Sequence, residues 1–239
     1  MTTIETRDLV CGYGNKPVIG AVSVDFDGGF TAILGANGAG KSTLLKTLAT
    51  ELPARGGDIL HDGERLRPRN LRDYRSAIGW VPQREPFDDT RTPAEFVAMV
   101  GWLRGLGWGR AHAAAREVLA DVGLAERADD RIASLSGGMR RRVSIAAGLV
   151  NDPAVLLLDE PTAGLDPAQR ASILTLVHKA GETGRTVIMS THIASDVTDC
   201  DRVLILARGG IAADGTPAEL TATHGGIDEA FIAVAGEPS

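Results

Sequence analysis

The chain has 239 residues and 44% hydrophobic content, enough for one large α/β domain or for a core with a small inserted subdomain. A net charge of -6 and a pI near 5.4 argue against non-specific nucleic-acid binding, which depends on Lys and Arg neutralising phosphates. The two cysteines, Cys11 and Cys200, lie far apart without metal-ligand spacing and point to a reducing compartment. The polar N-terminus is unlike a signal peptide and no apolar run is long enough to span a bilayer, so work at a membrane would need a second polypeptide.

Residues 3–34 alternate short apolar segments (Leu9-Val10, Val18-Ile19, residues 22–26, Ile33-Leu34) with Gly-containing turns, which predicts a small layer of short strands. Tyr13, between Gly12 and Gly14, reads by itself as a packing aromatic. The apolar stretch Phe30-Thr31-Ala32-Ile33-Leu34 then runs into Gly35-Ala36-Asn37-Gly38-Ala39-Gly40-Lys41-Ser42-Thr43, and Leu44, Leu45 and Leu48 follow at helical spacing. A strand, this glycine-rich run and a helix together read as a P-loop. The glycines let successive N–H groups converge on phosphate oxygens, Lys41 reaches the β/γ-phosphates, and Ser42 offers its hydroxyl to Mg²⁺. The positive end of the helix adds to the anion site.

Beyond the P-loop helix, residues 56–63 read as a strand closed by an Asp62-Gly63 turn. Arg65, Arg67, Arg69, Arg72 and Arg75, interspersed with Pro68, Asn70 and Asp73, read as a solvated loop and helix face. Ile78-Gly79-Trp80-Val81 is another buried strand, and Pro82 stops it. Gln83 therefore stands at a strand end, where the ligand-facing residues of parallel sheets lie. Three similar tetrads mark helix starts: Thr92-Pro93-Ala94-Glu95, Asp166-Pro167-Ala168-Gln169 and Thr216-Pro217-Ala218-Glu219. From residue 91 to 150 the periodicity is helical. Phe96, Met99, Val100, Leu103, Val118, Leu119, Val122, Met139, Val143, Ala146, Ala147 and Val150 are expected in its core.

Val155-Leu156-Leu157-Leu158 is an apolar run ending in Asp159 and Glu160, the way a buried parallel strand presents acids at its C-terminal edge. A P-loop nucleotide needs a carboxylate there for its Mg²⁺, and Asp159 fits; Glu160 is placed to orient or deprotonate water. A further strand, residues 186–191, ends at His192, which alone reads as a cap or a satisfied polar residue. Residues 202–215 read as a hairpin, the Thr216 helix follows, and the chain closes in a short tail in which Phe231, Ile232 and Val234 offer one helical turn.

Leu135-Ser136-Gly137-Gly138-Met139 is the decisive addition. With the P-loop, Gln83, residues 156–160, Ala163-Gly164-Leu165-Asp166 and His192 in this order, the chain resembles the nucleotide-binding subunit of an ATP-binding cassette (ABC) transporter over roughly residues 3–220. The resemblance implies a P-loop NTPase parallel-sheet core with an N-terminal antiparallel β layer and an inserted helical subdomain. Residues 1–90 and 151–220 would make the β layer and catalytic core, 91–150 the helical subdomain, and 221–239 a short C-terminal tail.

Carried over by position, the resemblance assigns ATP binding to residues 35–43 and Mg²⁺ to Ser42, Gln83 and Asp159. Glu160 becomes the general base for the attacking water, and His192 the switch histidine at the γ-phosphate. Gln83 becomes the residue that senses Mg²⁺ and water and relays to the membrane subunit. Tyr13 becomes the aromatic that stacks on adenine, reversing the packing reading. Ser136, Gly137, Gly138 and Asp166 are assigned to a second subunit's nucleotide, across a dimer interface. Two positions depart from the family pattern: Met139, followed by Arg140-Arg141-Arg142, stands where Gln is usual, and Ala163 stands where Ser is common. The Met-Arg-Arg-Arg run and the Ala-Gly-Leu-Asp loop resemble the exporter branch paired with ABC-2-type permeases.

The resemblance therefore implies an ATPase on the inner face of the cell membrane that powers a separate permease, an exporter of a small molecule, peptide, lipid or drug, as a homodimer or a paralogous heterodimer, with no nucleic-acid partner. The alternatives are a soluble ABC ATPase acting on ribosomes or DNA, which usually has two cassettes in one chain or a long coiled-coil insertion, and a non-transport regulatory cassette, from which Lys41, Glu160 or His192 would be missing. A small-molecule kinase on a P-loop would leave residues 135–138 unexplained.

Overall fold

The computed structural model describes residues 2–85 and 87–235. The chain opens with β1 (Ile4–Tyr13) and β2 (Lys16–Phe26), an antiparallel hairpin joined by β4 (Gly56–His61) and β5 (Glu64–Arg65) into a four-stranded sheet of order β2-β1-β4-β5. The short segments expected here are longer strands of 10 and 11 residues. Register shifts between Thr6 and Leu9 and between Leu9 and Cys11 interrupt the alternation that would have marked them as continuous. The Asp62-Gly63 turn is present, with both residues at positive φ as a two-residue hairpin loop requires.

β3 (Gly29–Leu34) belongs to a second sheet with β6 (Ile78–Val81), β7 (Val155–Asp159), β8 (Thr186–Thr191), β9 (Arg202–Ala207) and β10 (Gly210–Gly215), in the order β10-β9-β3-β8-β7-β6. All neighbouring pairs are parallel except the β9/β10 hairpin. Both faces of this sheet are covered, which explains the continuous apolar runs. Leu34, Leu156, Leu158, Val187, Met189, Val203 and Ile205 face a core shared with the helical insertion. Ile33, Val155, Leu157, Ile188, Leu204 and Leu206 face the antiparallel sheet across α1 (Lys41–Leu48), whose Leu44, Leu45 and Leu48 fill the gap.

After α2 (Leu71–Ala77) and β6 comes the insertion of α3 (Pro93–Leu103), α4 (Trp108–Asp121) and α5 (Gly137–Leu149). Its predicted core is buried or packed against the core, apart from Leu103, which is 69% exposed. Leu103 is the last residue of α3 and projects beyond the bundle beside the exposed pair Trp102 and Trp108, so helical spacing misplaces it. The arginines from Arg65 to Arg75 are exposed, as expected of a solvated face.

The C-terminal segment is more ordered than a short tail. α7 (Pro217–His224) runs across the expected boundary at residue 221, and α8 (Ile227–Ala235) is a full nine-residue helix, not a single turn. Ala230 is fully buried, and Ile227 and Phe231 pack on the main core. Isolated helices of this length are marginal in water, and docking on the core supplies what the local sequence lacks. Residues 236–239 of the expected tail lie outside the described residues. No described helix is long and apolar enough to cross a membrane.

Candidate functional site

The parallel register aligns four strand ends. Leu34 pairs with Thr191, Asp159 with Ser190 and Val81 with Leu158, so the residues that follow β3, β6, β7 and β8 emerge along one edge. These are the P-loop, Gln83, Glu160 and His192. Gly40 is the cap residue before α1 and adopts φ 101°, a left-handed conformation that favours glycine, and a Cβ there would also press on the Ile19 side chain.

The Lys41 ammonium is buried. It donates to the carbonyls of Gly35 (2.7 Å) and Ala36 (3.1 Å) and stands 3.3 Å from Glu160 Oε1. Burial holds its pKa below the ordinary lysine value, and the Glu160 carboxylate opposes that shift. Asp159 is fully buried; its Oδ1 accepts from Ser42 Oγ at 2.9 Å and from Ser190 Oγ at 2.7 Å. Its Oδ2 is buried with no donor among the described residues. A carboxylate oxygen left free in such a place, with a serine hydroxyl on its twin, forms an all-oxygen donor set of the kind a hard divalent cation takes.

Glu160 follows Asp159 directly but turns away, because it sits at φ 45° with its N–H donating to Ser190 Oγ at 3.0 Å. Its Oε2 accepts from Gln83 Nε2 at 3.0 Å and lies 3.4 Å from His192 Nδ1. Three sequence-distant segments thus converge on one carboxylate. Tyr13, Val18, Asn37, Gly38, Lys41 and Gln83 are among the residues lining an open cleft of about 420 Å³ at this edge. Tyr13 is 49% exposed at its mouth, so it presents its ring to the cleft and is no core residue.

Ser136, Gly137, Gly138 and Asp166 are elsewhere. Ser136 caps α5, accepting from Met139 N at 3.3 Å, and with Gly138, Met139, Arg142 and Gln169 lines a separate hollow that shares no residue with the P-loop cleft. Asp166 caps α6 (Pro167–Glu182) by accepting from Gln169 N at 2.9 Å. The sequence also concealed two residues that shape the site. Ser190 bonds both Asp159 and the Glu160 amide; a hydroxyl within the buried run of β8 is the signal that would have found it, since such a group needs a partner. Arg141 bonds the backbone at Gln83, and no local signal separates it from the arginines on either side.

A profile of the ABC transporter family matches residues 21–163. The chain belongs to that family. It is 37% identical over 241 residues to the linearmycin resistance ATP-binding protein LnrL of Bacillus subtilis, an alignment covering 96% of this chain and 77% of LnrL. The Nod factor export ATP-binding protein I of Burkholderia lata is 35% identical, with 94% of this chain and 74% of that protein covered. Among solved structures, the dimeric post-hydrolysis state of the ATP-binding cassette MJ0796, bound to ADP and Pi, superposes with a TM-score of 0.79 at 26% identity, covering 89% of this chain and 98% of that one. As an ABC cassette the chain is a nucleotide-binding ATPase, with the P-loop sheet and the antiparallel N-terminal sheet of its class.

Proposed function

We propose that this cassette binds MgATP at the P-loop cleft, hydrolyses it with Glu160 as general base, and drives a separate membrane permease of the export type as half of a two-cassette sandwich. The convergence of Lys41, Gln83 and His192 on the Glu160 carboxylate carries this reading. The Lys41 ammonium neutralises phosphate oxygens, and the P-loop N–H groups and the α1 N-terminus hold them. Tyr13 offers its exposed ring to the adenine. Gln83 and His192 orient a water against the γ-phosphorus, and a Glu160 oxygen takes its proton as the new P–O bond forms and ADP leaves with the electrons of the old one. Ser42 and Asp159 Oδ2 would hold Mg²⁺, with Gln83 alongside; when bound, it neutralises charge on the β- and γ-phosphates.

Ser136, Gly137, Gly138 and Asp166 would close over the nucleotide of the second cassette. A groove of about 880 Å³ lies between α2, β6 and the end of α3 and is lined by Arg72, Arg75, Trp80, Leu103 and Arg104. It suits a cytoplasmic segment of the permease, which would hold the cassette on the inner face of the membrane. The name of the Nod factor export protein favours the export direction, and that of LnrL a role in resistance to a compound.

Glu160→Gln tests the assignment. The variant should still bind ATP, lose hydrolysis by about a hundredfold or more, and accumulate as an ATP-dependent dimer on gel filtration. Hydrolysis at the parental rate would overturn the role of Glu160, and a persistent monomer would overturn the sandwich. Affinity capture of the chain from membranes should bring an integral-membrane permease; capture with ribosomes instead would overturn the transport assignment.

A further inference from the structure

The three arginines after Met139 occupy one turn of α5 yet go to three different places. Arg140 stays at the rim, 3.0 Å from Asp89 and 3.5 Å from Glu85, its guanidinium over the Phe87 ring. Arg142 reaches the Val122 carbonyl at 3.0 Å and the Ser172 hydroxyl. Arg141 turns inward. At 5% exposure it donates from Nη1 to the Pro82 carbonyl at 3.0 Å and from Nη2 to the Gln83 carbonyl at 3.1 Å, with Glu85 3.8 Å from its Nε.

Burial opposes the charge of this guanidinium and holds its pKa below the arginine value, so the site keeps a cation where an apolar side chain would meet less resistance. What it obtains is a fork on two consecutive carbonyls just past the end of β6, where the sheet no longer supplies a partner strand. The side chain of the second of those residues, Gln83, extends to Glu160. One residue of α5 thereby fixes the backbone from which the amide at the base is aimed.

We propose that Arg141 is a positioning residue for ATP hydrolysis: it holds the Pro82–Gln83 backbone so that the Gln83 amide meets Glu160, and it makes α5 a lever on the cassette's own base. The lever has a second end, because Ser136 and Gly138 at the start of α5 are the groups that would close over the partner's nucleotide. That half of the inference rests on the sandwich reading. Engagement of the far nucleotide would then be felt at Gln83 through a single rigid helix.

The test is a double-mutant cycle on the full-length chain, using single-turnover ATP hydrolysis with binding of a fluorescent ATP analogue measured alongside. Arg141→Met should lower the hydrolysis rate about tenfold while ATP affinity changes less than about twofold. Gln83→Ala should also slow the reaction. If Arg141 acts through Gln83, adding Arg141→Met to Gln83→Ala should cost less than about twofold more, because interaction through a shared element is non-additive. A further tenfold loss in the double variant, or no loss in Arg141→Met, would overturn the proposal. Should Arg141→Met fold poorly, Arg141→Lys serves in the same cycle: an ammonium keeps the charge but cannot fork onto both carbonyls, and it should hydrolyse ATP at less than about half the parental rate. The parental rate with lysine would overturn the positioning role. The Glu160→Gln dimer assay separates the two layers: its failure removes the lever to a partner, whereas the cycle decides the Arg141–Gln83 link with or without a dimer.

Discussion

Asp159 and Glu160 are consecutive yet serve different ends, and the difference lies in one φ angle. Asp159 is still in β7 and points at Ser42 and Ser190, whereas Glu160 at φ 45° swings toward Lys41, Gln83 and His192. Ser190 locks this turn by donating to the Asp159 carboxylate and accepting from the Glu160 amide. Ser190→Ala removes a donor to a buried carboxylate and leaves a buried N–H without a partner. A stability loss of about 1–3 kcal/mol is expected, measured by urea unfolding, together with slower hydrolysis. Unchanged values for both would show that Ser190 has no part in setting the turn. The two acids were visible in the sequence as the first polar residues after an apolar run; Ser190 follows Val187-Ile188-Met189 in the same way, yet nothing local says that its hydroxyl turns to Asp159.

At the scale of elements, the helix starts were the most readable features. Thr92 and Thr216 form complete capping boxes with Glu95 and Glu219, each hydroxyl accepting from the N3 amide at 3.2 Å while the glutamate accepts from the cap amide. At the third tetrad only half of the motif forms, since the Gln169 side chain lies against Gly138, where an added Cβ would come within 2.8 Å of Gln169 Cδ. The same four-residue pattern therefore does one job at the rim of the fold and two jobs where α5 meets α6. Thr92→Ala should destabilise the protein by about 0.5–2 kcal/mol and Thr92→Ser should restore most of it, read from denaturant midpoints. The limits of local reading appear at α8 and Leu103: one is a helix completed by docking on the core, the other an apolar helical residue left outside it.

At the scale of the molecule, the hollow at Ser136 and Gly138 and the cleft at Lys41 are separate surfaces of one chain. A site completed by a second copy depends on concentration. ATPase activity per chain should fall when the purified cassette is diluted below its dimer dissociation constant, and a permease that holds two copies together should remove the dependence. Constant specific activity across that range would show that one chain suffices.

The sequence by itself determined which polar groups the strands present: a P-loop, a carboxylate pair, a glutamine and a histidine, each after a buried strand. Buried parallel strands carry a continuous apolar run, so the polar residues that follow that run mark the C-terminal edge. Only the tertiary structure decided that these ends lie side by side, through the order β10-β9-β3-β8-β7-β6 and its register. It alone decided that Arg141 holds the backbone of a residue 58 positions away and that Ser190 meets Asp159 across 31. Strand and helix periodicities report which face of an element is buried. Which distant polar groups share that burial depends on how the elements pack, and no local pattern encodes it.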